Sequence, residues 1–151
     1  MVGRRRRFAL SDTAQQIVGG FLLAGPFVVT EEVWVLAQSM SSLQALLTVF
    51  IVFTVGYGAL YKADDRDPDR ETEVGGVPLR FVSLITVAYF SVVVLALAFD
   101  APGTFLDSPA SGSMAVFDVA VHPAQIDATL KAVSIGAIFS VIGAATADSL
   151  Y

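Results

Sequence analysis

Two adjacent carboxylates lie within an otherwise apolar stretch near the amino terminus, and they are the residues best suited to chemistry. Glu31 and Glu32 occupy the outer half of the first predicted membrane span. An ionisable group inside a membrane is costly, so it usually faces a protein interior or a water-filled cavity. With Thr30 beside them and Gln16 near the inner end of the same span, these acids predict a cation or proton pathway. The alternative is interfacial, with Trp34 as an anchor in an aromatic belt and the Glu side chains extended toward the headgroups.

Helical spacing separates the two acids. Successive residues of a helix point about 100° apart. In a continuous helix Glu31 would share a face with Gly20 and Trp34, whereas Glu32 would share a face with Gly25. We therefore expect at most one of the two carboxylates to point into a given pore.

The first span also contains a predicted helix break at Gly25 and Pro26. Proline removes a backbone hydrogen bond and clashes with the carbonyl four residues earlier, so a kink or break is expected there. The neighbouring Gly19 and Gly20 permit close helix packing. A helix broken by Gly and Pro can instead expose carbonyls to an ion, and both interpretations remain open.

The last apolar stretch has a face of small residues that includes Gly136, Ser140 and Gly143. Small side chains let two helix backbones approach closely. This face predicts a packing surface, either within one subunit or between subunits.

Two acids lie at the predicted inner ends of spans. Asp12, with Ser11, is expected to cap the start of the first helix. Asp148 lies at the cytoplasmic end of the last span, where we expect it to be solvated; the alternative is an inner acid in an ion path.

Composition limits the other kinds of chemistry. The chain has no cysteine and a single histidine, His122. Thiolate sites and sites built mainly from imidazoles are therefore excluded within one subunit. We expect no catalytic residues, no cofactor and no metal site, and hence no enzyme. The run Arg4–Arg7 is explained by topology and anionic lipid, and no nucleic-acid partner is expected.

Hydrophobic residues make up 55% of the chain and charged residues only 15%, against about 25% charged in soluble domains. A spanning helix needs about 20 apolar residues. The sequence predicts an all-α, polytopic protein with a single four-helix membrane domain over residues 1–151. Its four transmembrane helices are expected at about 17–37, 43–61, 79–99 and 130–147.

The positive charges predict the orientation. Arg4–Arg7 precede the first span, and four further bases lie between the second and third spans: Lys62, Arg66, Arg70 and Arg80. The predicted outer loop 100–129 has no Lys or Arg. The positive-inside rule therefore places the N-terminus, the loop 62–78 and the C-terminus in the cytoplasm. We predict a multi-pass protein of the cell membrane.

The long outer loop contains a segment, Met114 to His122, in which side chains partly alternate. This pattern predicts a short strand, an interfacial segment or a cap over a vestibule.

The net charge of −5 comes from fourteen acids and nine bases, of which only two are lysines. An acidic, lysine-poor surface holds water and solvated cations at high ionic strength. We therefore predict a halophilic archaeal source.

The segment GGFLLAGPFVVTEEVWVLA resembles a family of prokaryotic, haloarchaeal-type integral membrane proteins that is catalogued only as a domain of unknown function. Members carry a Gly-rich first helix, a Gly-Pro or Leu-Pro step and a Thr-x-Glu-x-Trp signature. The matching positions are Gly19, Gly20, Gly25, Pro26, Thr30, Glu32 and Trp34. The resemblance implies a membrane fold but no activity. Because some members are longer, it also implies that a chain this short assembles from several copies.

Two functions are predicted. The first is an oligomeric cation or proton pathway, in which Glu31 or Glu32 from several copies form a ring in the lipid bilayer. The second is a structural or accessory subunit that packs against a larger membrane complex. A membrane enzyme or a small-molecule transporter is a third, less supported possibility.

Overall fold

The structure is a computed structural model, and it describes residues 8–62, 67, 73–106, 114–116, 119–121 and 123–150. The predictions made for Arg4–Arg7, for most of the inner loop and for His122 lie outside these residues. We name the two ends of the molecule after the predicted orientation. The inner end carries Leu10, and the outer end carries Val28.

The described part of the chain contains six α-helices, and the longer ones coincide with long apolar stretches of the sequence. The helices are α1 (Leu10–Val28), α2 (Glu31–Ser39), α3 (Ser42–Tyr57), α4 (Leu79–Ala98), α5 (Ala101–Phe105) and α6 (Pro123–Leu150). Among the described residues, three helices are long and apolar enough to cross a membrane, and four if α1 and α2 count as one bent span. The chain is therefore a helical, polytopic membrane protein.

The first predicted span is not one helix. Helices α1 and α2 meet at an angle of 80°, with Val29 and Thr30 between them. The break predicted within the first span is present, but it follows Val28 and does not lie at Gly25 and Pro26. The shared face of Gly20 and Trp34, which assumed a continuous helix, is therefore wrong. Pro26 lies inside α1, and the chain turns only after Val28. Proline leaves the carbonyl of Leu22 without its helical donor, yet the helix continues for two more residues.

Helix α1 also begins earlier than the predicted span. It starts at Leu10, and the carboxylate of Asp12 accepts a 2.7 Å hydrogen bond from the backbone N–H of Ala9. Asp12 therefore caps the first turn from its third position. The predicted role for Asp12 is confirmed, whereas Ser11 lies inside the helix.

A two-residue connection, Met40 and Ser41, joins α2 to α3. The Ser41 side chain accepts from the N–H of Gln44, and the Gln44 side chain accepts from the N–H of Ser41. This reciprocal pair satisfies two backbone donors at the start of the helix. At its other end α3 widens into a π-helical segment, Gly58–Lys62, in which Leu60 and Tyr61 are buried.

Two short antiparallel hairpins lie in the connections between helices, one before α4 and one before α6. Strands β1 (Glu73–Val74) and β2 (Val77–Pro78) are joined by Gly75 and Gly76, whose φ angles of 60° and 84° suit a tight hairpin turn. In the outer loop, β3 (Met114–Val116) pairs with β4 (Val119–Val121). The strand predicted in this loop is therefore present, as a hairpin.

Helix α6 is the centre of the bundle. It contacts α1, α2, α3 and α4, and it extends beyond the predicted span 130–147 at both ends. At the outer end, Lys131 donates to the carbonyl of Met40 at 2.8 Å and pairs with Asp127 at 2.7 Å. An ion pair between residues four apart stabilises a helix, and the Met40 contact ties the α2–α3 corner to α6.

Helix α3 lies at the edge of the bundle. Its exposed apolar side chains follow helical spacing and form a stripe: Leu43, Leu46, Leu47 and Phe50. A membrane helix can expose such a stripe to lipid, because lipid tails are as apolar as leucine.

Candidate functional site

The outer corner between α1 and α2 is built by two side chains of the predicted signature. The hydroxyl of Thr30 donates to the carbonyl of Phe27 at 3.0 Å, and the indole N–H of Trp34 donates to the carbonyl of Val28 at 2.9 Å. The last carbonyls of a helix have no donor within the helix. Thr30 and Trp34 supply those donors and thereby stabilise the sharp turn.

Trp34 does not act as the predicted interface anchor. Its side chain is only 1% exposed and its ring lies 6.3 Å from that of Phe105. The correction has a local cause. Because the chain turns by 80° before α2, Trp34 points back beneath the end of α1 and not outward to the headgroups.

The two acids lie in the first turn of α2, and both are exposed. Negative charge at a helix N-terminus interacts favourably with the helix dipole. Glu31 and Glu32 border a shallow, open groove whose other lining residues are Val35, Leu36 and Ser39. The structure thus gives both acids access to the surroundings, and Thr30 acts on the backbone beside them.

Gly25 and Pro26 shape the exposed side of α1. A Cβ atom added at Gly25 would meet nothing within 4 Å, and Leu22 is 71% exposed. Pro26 has no N–H to donate to the carbonyl of Leu22. Next to this exposed part of α1, the carbonyl of Leu22 therefore lacks its usual helical donor.

A second cluster of polar groups lies at the inner end, where α1, α4 and α6 meet. Arg80 pairs with Asp148 at 2.7 Å, and these side chains are 3% and 0% exposed. The same guanidinium lies 3.4 Å from the carboxylate of Asp12 and 5.3 Å from the centre of the Phe8 ring. Arg80 therefore joins three helices through charge.

Gln16 belongs to this inner cluster. It is fully buried, its amide donates to the carbonyl of Arg80 at 3.5 Å, and its oxygen accepts from Ser83 at 2.7 Å. The Thr13 hydroxyl lies 3.3 Å from that of Ser83. About 18 Å of helix separates Gln16 from Val28, so the structure does not bring Gln16 together with the acids of α2.

Asp148 was expected to be solvated, but it is buried. Arg80 was interpreted only as a loop base that sets the topology, but it is buried and pairs with Asp148. Sequence reasoning interpreted each charge by itself, as the end of a span or as a topology signal. Opposite charges at the same depth on two spans were the available signal, because charges inside a membrane protein usually pair. The pairing depended on the tertiary arrangement of α4 and α6.

Between the two ends, the contact of α1 with α6 is closed by small residues. A Cβ atom added at Gly19 would collide with the backbone of Gly143. A Cβ at Gly20 would lie 3.1 Å from the Ser140 hydroxyl, which itself donates to the Gly20 carbonyl at 3.2 Å. Gly136 packs in the same way against Val92 of α4. The small-residue face of α6 is thus used inside the subunit and leaves no room for a channel between α1 and α6.

In the described residues, no group of three or more His, Asp or Glu side chains could hold a metal ion.

The long apolar helices, the buried ion pair and the many apolar side chains on the exposed surface together define a polytopic integral membrane protein. The chain matches a family model described as "Putative integral membrane protein (DUF2391)" over residues 4–101. The match covers most of the chain, so the protein belongs to this family, whose function is unknown. No curated protein and no solved structure shows significant similarity to the chain.

Proposed function

We propose that the protein acts as a homo-oligomer in which the exposed acids of α2 from several copies attract cations or protons. The observation that carries this proposal is the exposure of both Glu31 and Glu32 beside apolar Val35 and Leu36. Exposed carboxylates that border apolar surface need water, headgroups or a partner. A ring of such acids around an axis favours cations.

The closed contact between α1 and α6 supports a path that runs between copies. Gly19 and Gly143 touch directly, and the inner charges of Arg80 and Asp148 neutralise each other. The outward side of α1 offers the alternative surface, since Leu22 and Pro26 are exposed there. Its apolar side chains would form a hydrophobic constriction of the kind that gates some pores.

The proposal includes an arrangement in the membrane. The bent pair of α1 and α2 forms the first of four crossings, the acids lie on the outer side, and both chain ends lie in the cytoplasm of the cell. No catalytic role, cofactor or nucleic acid is part of this function. We retain the halophilic source as a proposal, together with the Gly-Pro and Thr-x-Glu-x-Trp positions as the mark of the family.

The second candidate is an accessory subunit of a larger membrane complex. The apolar stripe of α3 favours it, because Leu43, Leu46 and Phe50 are all more than half exposed. The small-residue face of α6 no longer supports it, since α1 and α4 occupy that face. In this second proposal the partner helix packs on α3.

Flux into liposomes tests the first proposal. Purified protein would be reconstituted, and cation and proton fluxes compared between wild type, Glu31→Gln and Glu32→Gln. Flux that falls in either variant with the oligomer intact supports the pathway. Glu73→Gln is the matched control, because Glu73 is an exposed glutamate in the hairpin β1–β2. Wild-type flux equal to that of empty liposomes under every gradient contradicts the pathway and favours the accessory role.

A further inference from the structure

Asp12 makes two contacts with one oxygen atom. Its Oδ2 accepts from the N–H of Ala9 at 2.7 Å and lies 3.4 Å from the Nη2 of Arg80. The first contact caps α1, and the second ties the inner end of α1 to α4. One oxygen atom therefore both caps α1 and attaches it to α4, and only the attachment depends on the negative charge.

The two carboxylates that share Arg80 are held unequally. Asp148 approaches to 2.7 Å and its side chain is fully buried, whereas Asp12 lies at 3.4 Å and its side chain is 20% exposed. Breaking a buried pair leaves uncompensated charges away from water and is strongly unfavourable. A partly exposed pair at longer distance is much weaker. The Arg80–Asp12 contact is therefore the one that can open.

The middle of α1 offers a surface on which this helix can tilt. There the helix meets α6 through the Gly19–Gly143 backbone contact and the neighbouring Gly20–Ser140 contact. Contacts of this kind lack long interlocking side chains. A small rotation about the glycines would move the inner end of α1 away from α4. It would also break the hydrogen bonds of Ser83 with Gln16 and Thr13, whose polar groups would then bind water.

The groups behind Asp12 would then reach water. Gln16 and Ser83 lie beside Arg80. The buried Asp148 lies on α6 and pairs with the same arginine. Water at this layer could solvate both members of the Arg80–Asp148 pair. Opening would thus turn a closed inner end into a polar inlet.

We propose that the Asp12–Arg80 contact is a latch on the inner end of α1. With the latch closed, as in this structure, the Arg80–Asp148 pair is sealed from the inner side. When the negative charge of Asp12 is lost, the inner end of α1 separates from α4 and water reaches the pair. This device rests on the proposed cytoplasmic location of both chain ends, but it does not depend on the proposed cation pathway.

The absence of cysteine from the natural chain makes the test direct. Ala147→Cys is the reporter, because Ala147 faces Gly19 and directly precedes Asp148. Its labelling by a membrane-impermeant maleimide in inside-out vesicles would be measured with and without Asp12→Asn. Asparagine retains an oxygen that can accept from Ala9, so this change removes the charge while preserving the cap.

The latch predicts that Asp12→Asn raises the labelling rate roughly fivefold. Asp12→Glu, which keeps the charge, should label closer to the wild-type rate than Asp12→Asn does. Asp127→Asn is the control, since Asp127 is an exposed acid at the outer end of α6. An unchanged rate in Asp12→Asn overturns the latch, and so does an equal rise in Asp127→Asn, because it would report general loosening.

Hydrogen exchange gives a second readout that needs no cysteine. Amides in the inner half of α1, from Ala14 to Val18, should exchange faster in Asp12→Asn, whereas amides in the middle of α4 should not. Equal protection of the α1 amides in wild type and Asp12→Asn would also overturn the latch. Neither readout involves ion flux, so failure of the latch and failure of the pathway are separable.

Discussion

The guanidinium of Arg80 lies 2.7 Å from the carboxylate of Asp148, and this contact joins the first turn of α4 to the last turns of α6. Both side chains are removed from the solvent by neighbouring helices. Removing one partner of such a pair leaves a buried charge without compensation, which typically costs about 3–5 kcal/mol.

We expect Arg80→Ala and Asp148→Ala each to lower the stability of the protein in detergent by roughly that amount. The double variant should lose less than the sum, because the second substitution removes the charge that the first one exposed. Thermal unfolding of the four proteins measures this coupling. Additive losses would mean that the two residues stabilise the protein independently.

The glycines of the α1–α6 contact should tolerate no side chain. Gly19→Ala forces a Cβ atom against the Gly143 backbone, and overpacking of this kind typically costs about 1–3 kcal/mol. Gly25→Ala is the matched control on the same helix, since nothing lies within 4 Å of its Cβ position. A fall in melting temperature for Gly19→Ala alone is the expected result. Equal melting temperatures for both variants would show that α1 and α6 do not meet at these glycines.

The turn between α1 and α2 should depend on two hydrogen bonds. Thr30→Val and Trp34→Phe each remove a donor to the end of α1, at a cost of about 1 kcal/mol or more. Ser39→Ala is the control, because its hydroxyl donates to Leu36 within its own helix and is exposed. Thermal unfolding that ranks Ser39→Ala as the most damaging of the three would refute this account of the corner.

Two of the apolar helices could be predicted closely from apolar length alone. The prediction of 79–99 compares with Leu79–Ala98 for α4, and that of 43–61 with α3 and its π-helical extension. Helix α6 was underestimated. Its outer extension is polar, and it is held by Lys131, whose contact with Met40 joins residues far apart in the sequence.

The position of the break in the first span could not be predicted. Pro26 indicates a local weakness, but a helix continues past proline when the rest of its hydrogen bonds survive. The turn occurs where Thr30 and Trp34 satisfy the last carbonyls. The indole reaches its acceptor only after the chain has turned, so helical spacing alone assigns Trp34 to the wrong face.

The candidate site was partly predicted. Glu31 and Glu32 were identified as unusual acids, and their exposure agrees with either predicted role. The inner cluster was missed because pairing of Arg80 with Asp148 is a property of helix packing. Gln16 was predicted to belong to the ion pathway with the acids, but its contacts place it in the inner cluster.

The central claim is that copies of the protein meet through the acidic face of α2. Crosslinking in native membranes tests it, with Leu36→Cys as the probe and Leu46→Cys on α3 as the control; both leucines are exposed. A bifunctional maleimide should join copies through position 36 and leave position 46 largely monomeric. Crosslinking only through position 46, or through neither position, would contradict the claim.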